Sequence, residues 1–252
     1  MRSPYPEAPV NAELLEARRD LAAAHRVCVR LGFHEAIDNH LSLRVPGRDD
    51  EFFLSPFPLH WAEVTASNLL RVRLDGSLLE GEHEVEETAY CIHSEIHRAA
   101  ASFRCVMHTH MPYATAICCR DEGRLHPVHQ HSLGLHDRIG YLDEYDGEVL
   151  TTEYGAKLAR AMGDRPVLFL ANHGVISAGS SVAIAFELLY YLERACQFQV
   201  LAESGGHALR PLPKRVLDAA TRKNKPEDWG HADKHLAAWR RILDREEPDY
   251  AS

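Results

Sequence analysis

Two histidines one residue apart, His108 and His110, close a short apolar run, Cys105-Val106-Met107-His108-Thr109-His110-Met111-Pro112. The β-prone residues before them predict a strand, and side chains at i and i+2 of a strand share one face. Both imidazoles then project together, as two nitrogen ligands of one metal must. A third histidine ends a second apolar run, Leu168-Phe169-Leu170-Ala171-Asn172-His173-Gly174. Three neutral imidazoles suit zinc, iron or another divalent transition metal, and a metal left with open positions is usually catalytic. The competing reading makes each of them a hydrogen-bonded interior histidine.

The elements that would position these residues alternate irregularly between helix and strand patterns. After Asn11, a good N-cap type, Leu14, Ala17, Leu21, Ala24, Cys28 and Leu31 recur at helical spacing, with Gly32 as the stop. Asp38-Asn39-His40-Leu41-Ser42-Leu43-Arg44 is a polar turn entering an alternating strand, and Phe52-Phe53-Leu54 reads as its partner. Residues 69–74 predict another strand, and residues 87–101 a helix. Pro112 stands where a further helix can start. A helix near 152–162, a strand over 167–171 and a strong helix over 180–202 follow. Residues 121–150 read as loop with a short apolar piece at Ile139, and the tail carries one helix at about 231–244. The expectation is an α/β fold with helices covering a central sheet. It consists of a flexible arm over 1–11, a metal-binding domain over 12–202 and a helical tail over 203–252 packed on the same domain.

Bulk composition narrows the function. The chain has 252 residues, 45% of them hydrophobic and 26% charged, values ordinary for a soluble globular enzyme. Its net charge of −9, with no long basic run, argues against a nucleic-acid partner. The Lys and Arg residues around 214–225 read as a solvated loop. No apolar stretch reaches the length of a membrane span. The six cysteines form no C-x-x-C pair and sit among apolar neighbours, the habit of reduced core thiols. The first twenty residues are proline-rich and then charged, without a signal-peptide pattern, so the expected location is cytoplasmic.

Several segments together resemble the class II aldolase/adducin family: Asn39-His40-Leu41-Ser42-Leu43-Arg44, Leu54-Ser55-Pro56-Phe57, Ile92-His93-Ser94-Glu95-Ile96-His97, His108-Thr109-His110, Asn172-His173-Gly174 and Tyr190-Tyr191-Leu192-Glu193-Arg194-Ala195. The resemblance implies a single three-layer αβα domain with a mixed central sheet and a homotetramer acting on a small molecule. It also implies a metal on His108, His110 and His173 near a subunit interface. The chain departs from the sugar-phosphate aldolases of that family in two places. They carry a Glu one helical turn before the position of His93, where this chain has Ala89, with Glu86 and Glu87 close by but out of phase. Their Gly-Asn-rich phosphate turn is here Asn39-His40-Leu41-Ser42, without Gly. The pattern is similar to the adducin-like bacterial branch, some of whose members decarboxylate hydroxylated aromatic acids. Related branches use iron for oxidative decarboxylation.

A three-histidine centre keeps the full charge of one zinc, manganese or iron ion and leaves positions open to a hydroxy-carboxylate or α-keto acid. The candidate proton donors are His131, near where the resemblance implies a proton-handling side chain from a neighbouring subunit, and Glu87. The alternatives are a loop histidine and a helix N-terminal acid complementing the dipole. Asn39, His40, Ser42, Arg44 and Ser55 are the substrate-binding candidates. Arg44 either forks onto a carboxylate or forms a strand-surface salt bridge, and Tyr250 either closes over the site or lies in a loose tail. The leading expectation is a metal-dependent carbon–carbon lyase decarboxylating a hydroxylated aromatic or related hydroxy or keto acid. A sugar-phosphate aldolase, an iron(II) oxygenase or oxidative decarboxylase, and a non-catalytic adducin-like assembly module are the alternatives.

Overall fold

The computed structural model describes residues 8–223 and 230–252. Its chain order is α1 (Ala8–Leu31), β1 (His40–Arg44), β2 (Glu51–Leu54), β3 (Leu70–Arg73), β4 (Leu78–Glu80), α2 (Glu87–Ala99), β5 (Cys105–Thr109), α3 (Pro112–Cys118), α4 (Gln130–Leu133), β6 (Ile139–Leu142), α5 (Thr152–Met162), β7 (Val167–Leu170), β8 (Gly174–Gly179), α6 (Val182–Glu203), α7 (Lys214–Lys223) and α8 (Ala232–Glu246). The eight strands make one sheet in the order β4-β3-β2-β1-β5-β8-β7-β6. All neighbours are antiparallel except β6 and β7, so the sheet is mixed.

Strand alternation divides the core into two layers. Leu41, Leu43, Phe53, Cys105, Met107, Val167, Phe169 and Val175 point to one face and pack with residues of α1, α3, α6 and α8. Val106, Leu168, Leu170, Ile176 and Ala178 point to the other, under α2 and α5. Ala89 of α2 meets Phe52, Leu54, Leu70 and Val72 at one end of that second face. The result is the expected αβα sandwich, each helical layer burying an apolar stripe on a sheet face. No helix among the described residues is long and apolar enough to cross a membrane.

Several boundaries differ from the sequence reading. Residues 1–7 of the expected arm lie outside the described residues, and 8–11 already belong to α1. The 214–225 region read as loop contains α7, where Lys214 Nζ pairs with Asp218 Oδ1 at 2.8 Å, one turn on. Strand β8 had no sequence signature, because Gly174-Val175-Ile176-Ser177-Ala178-Gly179 is wholly buried and does not alternate. Cys119 is exposed at the end of α3, while the other five cysteines are buried and free. The C-terminal Tyr250 is fully buried, its hydroxyl donating to Asp244 Oδ1 at 2.7 Å, so it anchors the tail rather than closing over the pocket described below.

One polar contact redirects the chain beside the histidine pair. The buried Glu193 of α6 accepts the backbone N–H groups of Tyr113 and Ala114 at 2.9 and 2.8 Å, and Pro112 occupies the first turn. These interactions satisfy the otherwise orphaned donors of α3, so the strand ends and the helix begins just past His110.

Candidate metal centre

Strand β5 carries His108 on the α2 side of the sheet, directly across from His40 on β1 and Ile176 on β8. His110 lies just past the strand end, two residues on, beside His108. The third imidazole comes from the tight β7–β8 turn, whose register closes with Leu170 opposite Gly174. Asn172 takes φ of 57°, a left-handed conformation that asparagine tolerates, and donates its N–H to Cys118 O at 3.0 Å. A Cβ on Gly174 would stand 2.7 Å from both the Thr109 carbonyl and His110 Cδ2. Each member of Asn172-His173-Gly174 therefore has a role: one shapes the turn, one presents nitrogen, and one lets the neighbouring imidazole approach. The ligand nitrogens of His108, His110 and His173 all lie within 4.8 Å of one another.

Hydrogen bonds fix which nitrogens face inward. His108 Nδ1–H donates to the Val175 carbonyl at 3.1 Å, and His110 Nδ1 lies 2.5 Å from Glu35 Oε2. Both Nε2 lone pairs then converge at 3.1 Å with no proton required on either. Burial holds His108 well below the usual imidazole range, and pushes His173 down to about 4 with help from nearby His110, so both favour the neutral ligand form. Converging imidazole nitrogens fit a divalent cation with metal–nitrogen bonds of about 2.0–2.1 Å. The Glu35 carboxylate behind His110 is the outer partner that metal-bound histidines usually have.

The triad opens into a cavity of about 510 Å³ that is also lined by Asp38, His40, Glu86, Tyr145 and Glu148. No lysine or arginine is among its described lining residues. Of the two acids near the Ala89 position, Glu86 lines the cavity and the candidate donor Glu87 does not. Glu86 is the N-cap of α2: Oε1 accepts Thr88 N–H at 2.9 Å, and Oε2 accepts Ala89 N–H and the Thr88 hydroxyl, both at 2.6 Å. A capping side chain folds back over the first turn, and here that turn borders the cavity. Ala89 is spent in the core, and Glu87 is exposed outside the lining.

The substrate-binding candidates divide. His40 lines the cavity. Asn39 sits behind it, its Oδ1 accepting His110 N–H at 3.3 Å. Ser42 is buried between two histidines of α2, and Ser55 Oγ takes Leu41 N–H at 2.8 Å and lies 2.7 Å from His25 Nε2, so neither serine lines the cavity. Arg44, at the far end of β1 from His40, donates to the carbonyls of Asp49 and His97 and is correspondingly unavailable to substrate. Within its own chain His131 also stays away from the cavity, its ring lying 4.5 Å from that of Tyr191 on the α6 side. Sequence reasoning missed Glu35, Asp38 and Glu148, which no local pattern marks. It gave no role to His93 and His97, whose i, i+4 spacing on an apolar helix was a usable signal.

Comparison with known proteins agrees with this architecture. Residues 19–200 match the family described as Class II Aldolase and Adducin N-terminal domain. A Pseudomonas aeruginosa protein named for the class 2 aldolases is 37% identical over 215 residues, covering 85% of this chain and 82% of its own length. Mouse alpha-adducin is 31% identical over 90% of this chain and 33% of its own. The crystal structure of an aldolase II superfamily protein from Pseudomonas syringae superposes with a TM-score of 0.89 at 34% identity, covering 95% of this chain and 96% of that one. With a family match across the sheet and all three clustered histidines, and with relatives above 30% identity along most of its length, the chain belongs to the class II aldolase/adducin family.

Proposed function

We propose that the protein is a metal-dependent carbon–carbon lyase that cleaves a small, hydroxyl-bearing substrate lacking a phosphate group. The observation that carries this reading is the convergence of His108 and His110 Nε2 lone pairs at 3.1 Å beside His173, at the floor of an open cavity. His108, His110 and His173 would hold one divalent ion, zinc, manganese or iron. Once bound, the ion supplies Lewis-acid stabilisation of charge developing on a chelated substrate oxygen. The chain's own residues supply the rest. Asp38, Glu86, Glu148 and His40 make the cavity rich in acceptors, so it favours hydroxyl donors. The absence of lysine and arginine from its described lining gives a doubly charged phosphate no cationic side chain of this chain to pair with.

The two residues that inclined the sequence toward decarboxylation do so no longer. The cavity has acceptors of its own in Glu86 and His40 despite Ala89, and Arg44 is occupied elsewhere. Aldol-type cleavage, which needs a proton acceptor beside the metal, therefore stands ahead of CO₂ release from a hydroxylated aromatic or keto acid. The likeness to mouse alpha-adducin supports the alternative of a non-catalytic assembly module, and the intact triad supports catalysis over it. The proposed assembly is a homotetramer, resting on family membership; light scattering at micromolar concentration tests it, and a monomer would remove the role of His131 in a neighbouring site.

The test is a panel of hydroxy-aldehydes, hydroxy and keto acids, hydroxybenzoates and sugar phosphates, assayed for aldehyde, CO₂ and oxygen uptake with and without chelator. Chelator-sensitive aldehyde release from an unphosphorylated substrate is expected. CO₂ alone would restore decarboxylation, oxygen-coupled turnover would make the protein an oxygenase, and preference for a phosphate would contradict the specificity argued here.

A further inference from the structure

A line of buried polar groups runs from the cavity wall into the layer between the sheet and α2. His40 Nδ1 lies 2.7 Å from His93 Nε2, His93 Nδ1 is 2.5 Å from Ser42 Oγ, Ser42 Oγ is 2.8 Å from His97 Nε2, and His97 Nδ1 is 3.0 Å from the Phe103 carbonyl. All four side chains are at most 3% exposed. Period-two strand geometry puts His40 and Ser42 on one sheet face, and i, i+4 spacing puts His93 and His97 on one helix face.

Because one end of this line is a carbonyl, every proton in it is determined. A carbonyl only accepts, so His97 carries its proton on Nδ1. Burial pushes His97 down to about 3, hence it is neutral and its Nε2 is bare. Ser42 must then donate to His97 and accept from His93, which places the His93 proton on Nδ1. His93 Nε2 is bare in turn, so the proton of neutral His40 sits on Nδ1. What remains is the His40 Nε2 lone pair at the cavity wall, 3.9 Å from Glu86 Oε2. Two acceptors at that separation share no hydrogen bond, and a hydroxyl donor placed between them satisfies either.

The geometry points to His40 as the cavity's acceptor for a substrate hydroxyl proton, held in its Nδ1–H tautomer by the His93–Ser42–His97–Phe103 carbonyl chain. This inference rests on the lyase reading. In the step assigned to it, the hydroxyl proton passes to His40 Nε2 and C–OH becomes C=O. The adjacent carbon–carbon bond breaks, leaving its electron pair on the departing carbon, which then takes the proton back from His40. Atoms and electrons balance without an added oxidant or reductant. His40 is the catalytic residue here, and Ser42, His93 and His97 are positioning residues that act through it.

Two readouts test the assignment separately. In the first, ¹⁵N-histidine-labelled protein loaded with zinc is studied by long-range ¹H–¹⁵N correlation, with His40 identified by signal loss in His40→Gln. The expected pattern is a protonated Nδ1 at His40, His93 and His97, a mixed or reversed His40 tautomer in Ser42→Ala, and a return to the native pattern in Ser42→Thr. A proton on His40 Nε2 in the native protein, or a His40 pattern unmoved in Ser42→Ala, overturns the lock.

In the second, steady-state kinetics on the substrate found in the panel should show kcat lowered about 10²–10⁴-fold in His40→Gln with bound metal unchanged. Ser42→Ala should lose about tenfold in kcat at unchanged KM, with Ser42→Thr recovering most of it. Native kcat in His40→Gln overturns the acceptor role even if the tautomer is as expected. A native protein without lyase activity on any substrate overturns the lyase reading and the acceptor role with it, while the spectrum still decides the lock.

Discussion

His108 and His110 aim their Nε2 atoms at the same point from 3.1 Å apart, and the Nδ1 of each is already engaged, one by the Val175 carbonyl and the other by the Glu35 carboxylate. The second contact reaches from the loop after α1, so the sheet places the ligands while a residue far away in sequence orients one of them.

Glu35 should matter for metal and little for folding. Its carboxylate is mostly exposed, and its partner among the cavity residues is His110. Replacing it by Ala should weaken metal binding about 10–100-fold, measured by competition with a chromophoric chelator, with the melting temperature of the metal-free protein almost unchanged. Native affinity in Glu35→Ala would remove Glu35 from the site.

Gly174→Ala should damage both. The added methyl meets the Thr109 carbonyl and His110 Cδ2, each at 2.7 Å, so backbone or ligand must move. Overpacking of this kind costs about 1–3 kcal/mol, visible in urea unfolding, and metal affinity should fall with it. An unaltered protein would mean that the β7–β8 turn is softer than its close approach implies.

Arg44 should behave as a structural residue. Its guanidinium is buried and holds the carbonyl of His97 on α2 together with that of Asp49. Arg44→Met should destabilise the protein by about 1–3 kcal/mol, because a buried carbonyl loses its donor, while KM for the substrate stays within about twofold by the same reasoning. A rise in KM of tenfold or more at unchanged stability would return Arg44 to the role in substrate binding that its sequence position suggested.

Stability should fall with acid before most carboxylates titrate. Burial pushes His25 down to about 4 and His97 down to about 3, against 6.5 in the unfolded chain. Below pH 6.5 the unfolded state binds protons that the folded state refuses, so the contribution of each histidine is complete above that pH. It declines by about 1.4 kcal/mol per unit as the pH falls toward the folded value. Urea unfolding between pH 8 and 5 measures the slope, and His25→Gln should make it shallower. A flat profile from pH 7 to 5 would contradict neutral burial of these rings.

The histidine cluster was legible because its signal is local. A period of two, a strand ending in His-Thr-His and an Asn-His-Gly turn are enough to bring His108, His110 and His173 together. The place of Glu86 at the cavity was not legible because counting along an ideal helix from His93 leads to Ala89, whereas an N-cap carboxylate lies outside that phase and folds back over the first turn. Arg44 was misplaced for a different reason: the type of a residue indicates what it can bind, and only tertiary packing decides whether a backbone carbonyl has claimed it first. Strand β8 escaped notice because a strand buried on both faces carries no alternation.

The central claim is that three histidines hold one catalytic divalent ion, and elemental analysis tests it most directly. Protein purified without added metal should contain one divalent transition ion per chain, or take up one when offered zinc. Replacing His108, His110 or His173 singly by Ala should lower occupancy strongly in a protein that remains folded. Stoichiometric metal in the triple Ala variant, or a native protein that neither carries nor takes up an ion, would contradict the account.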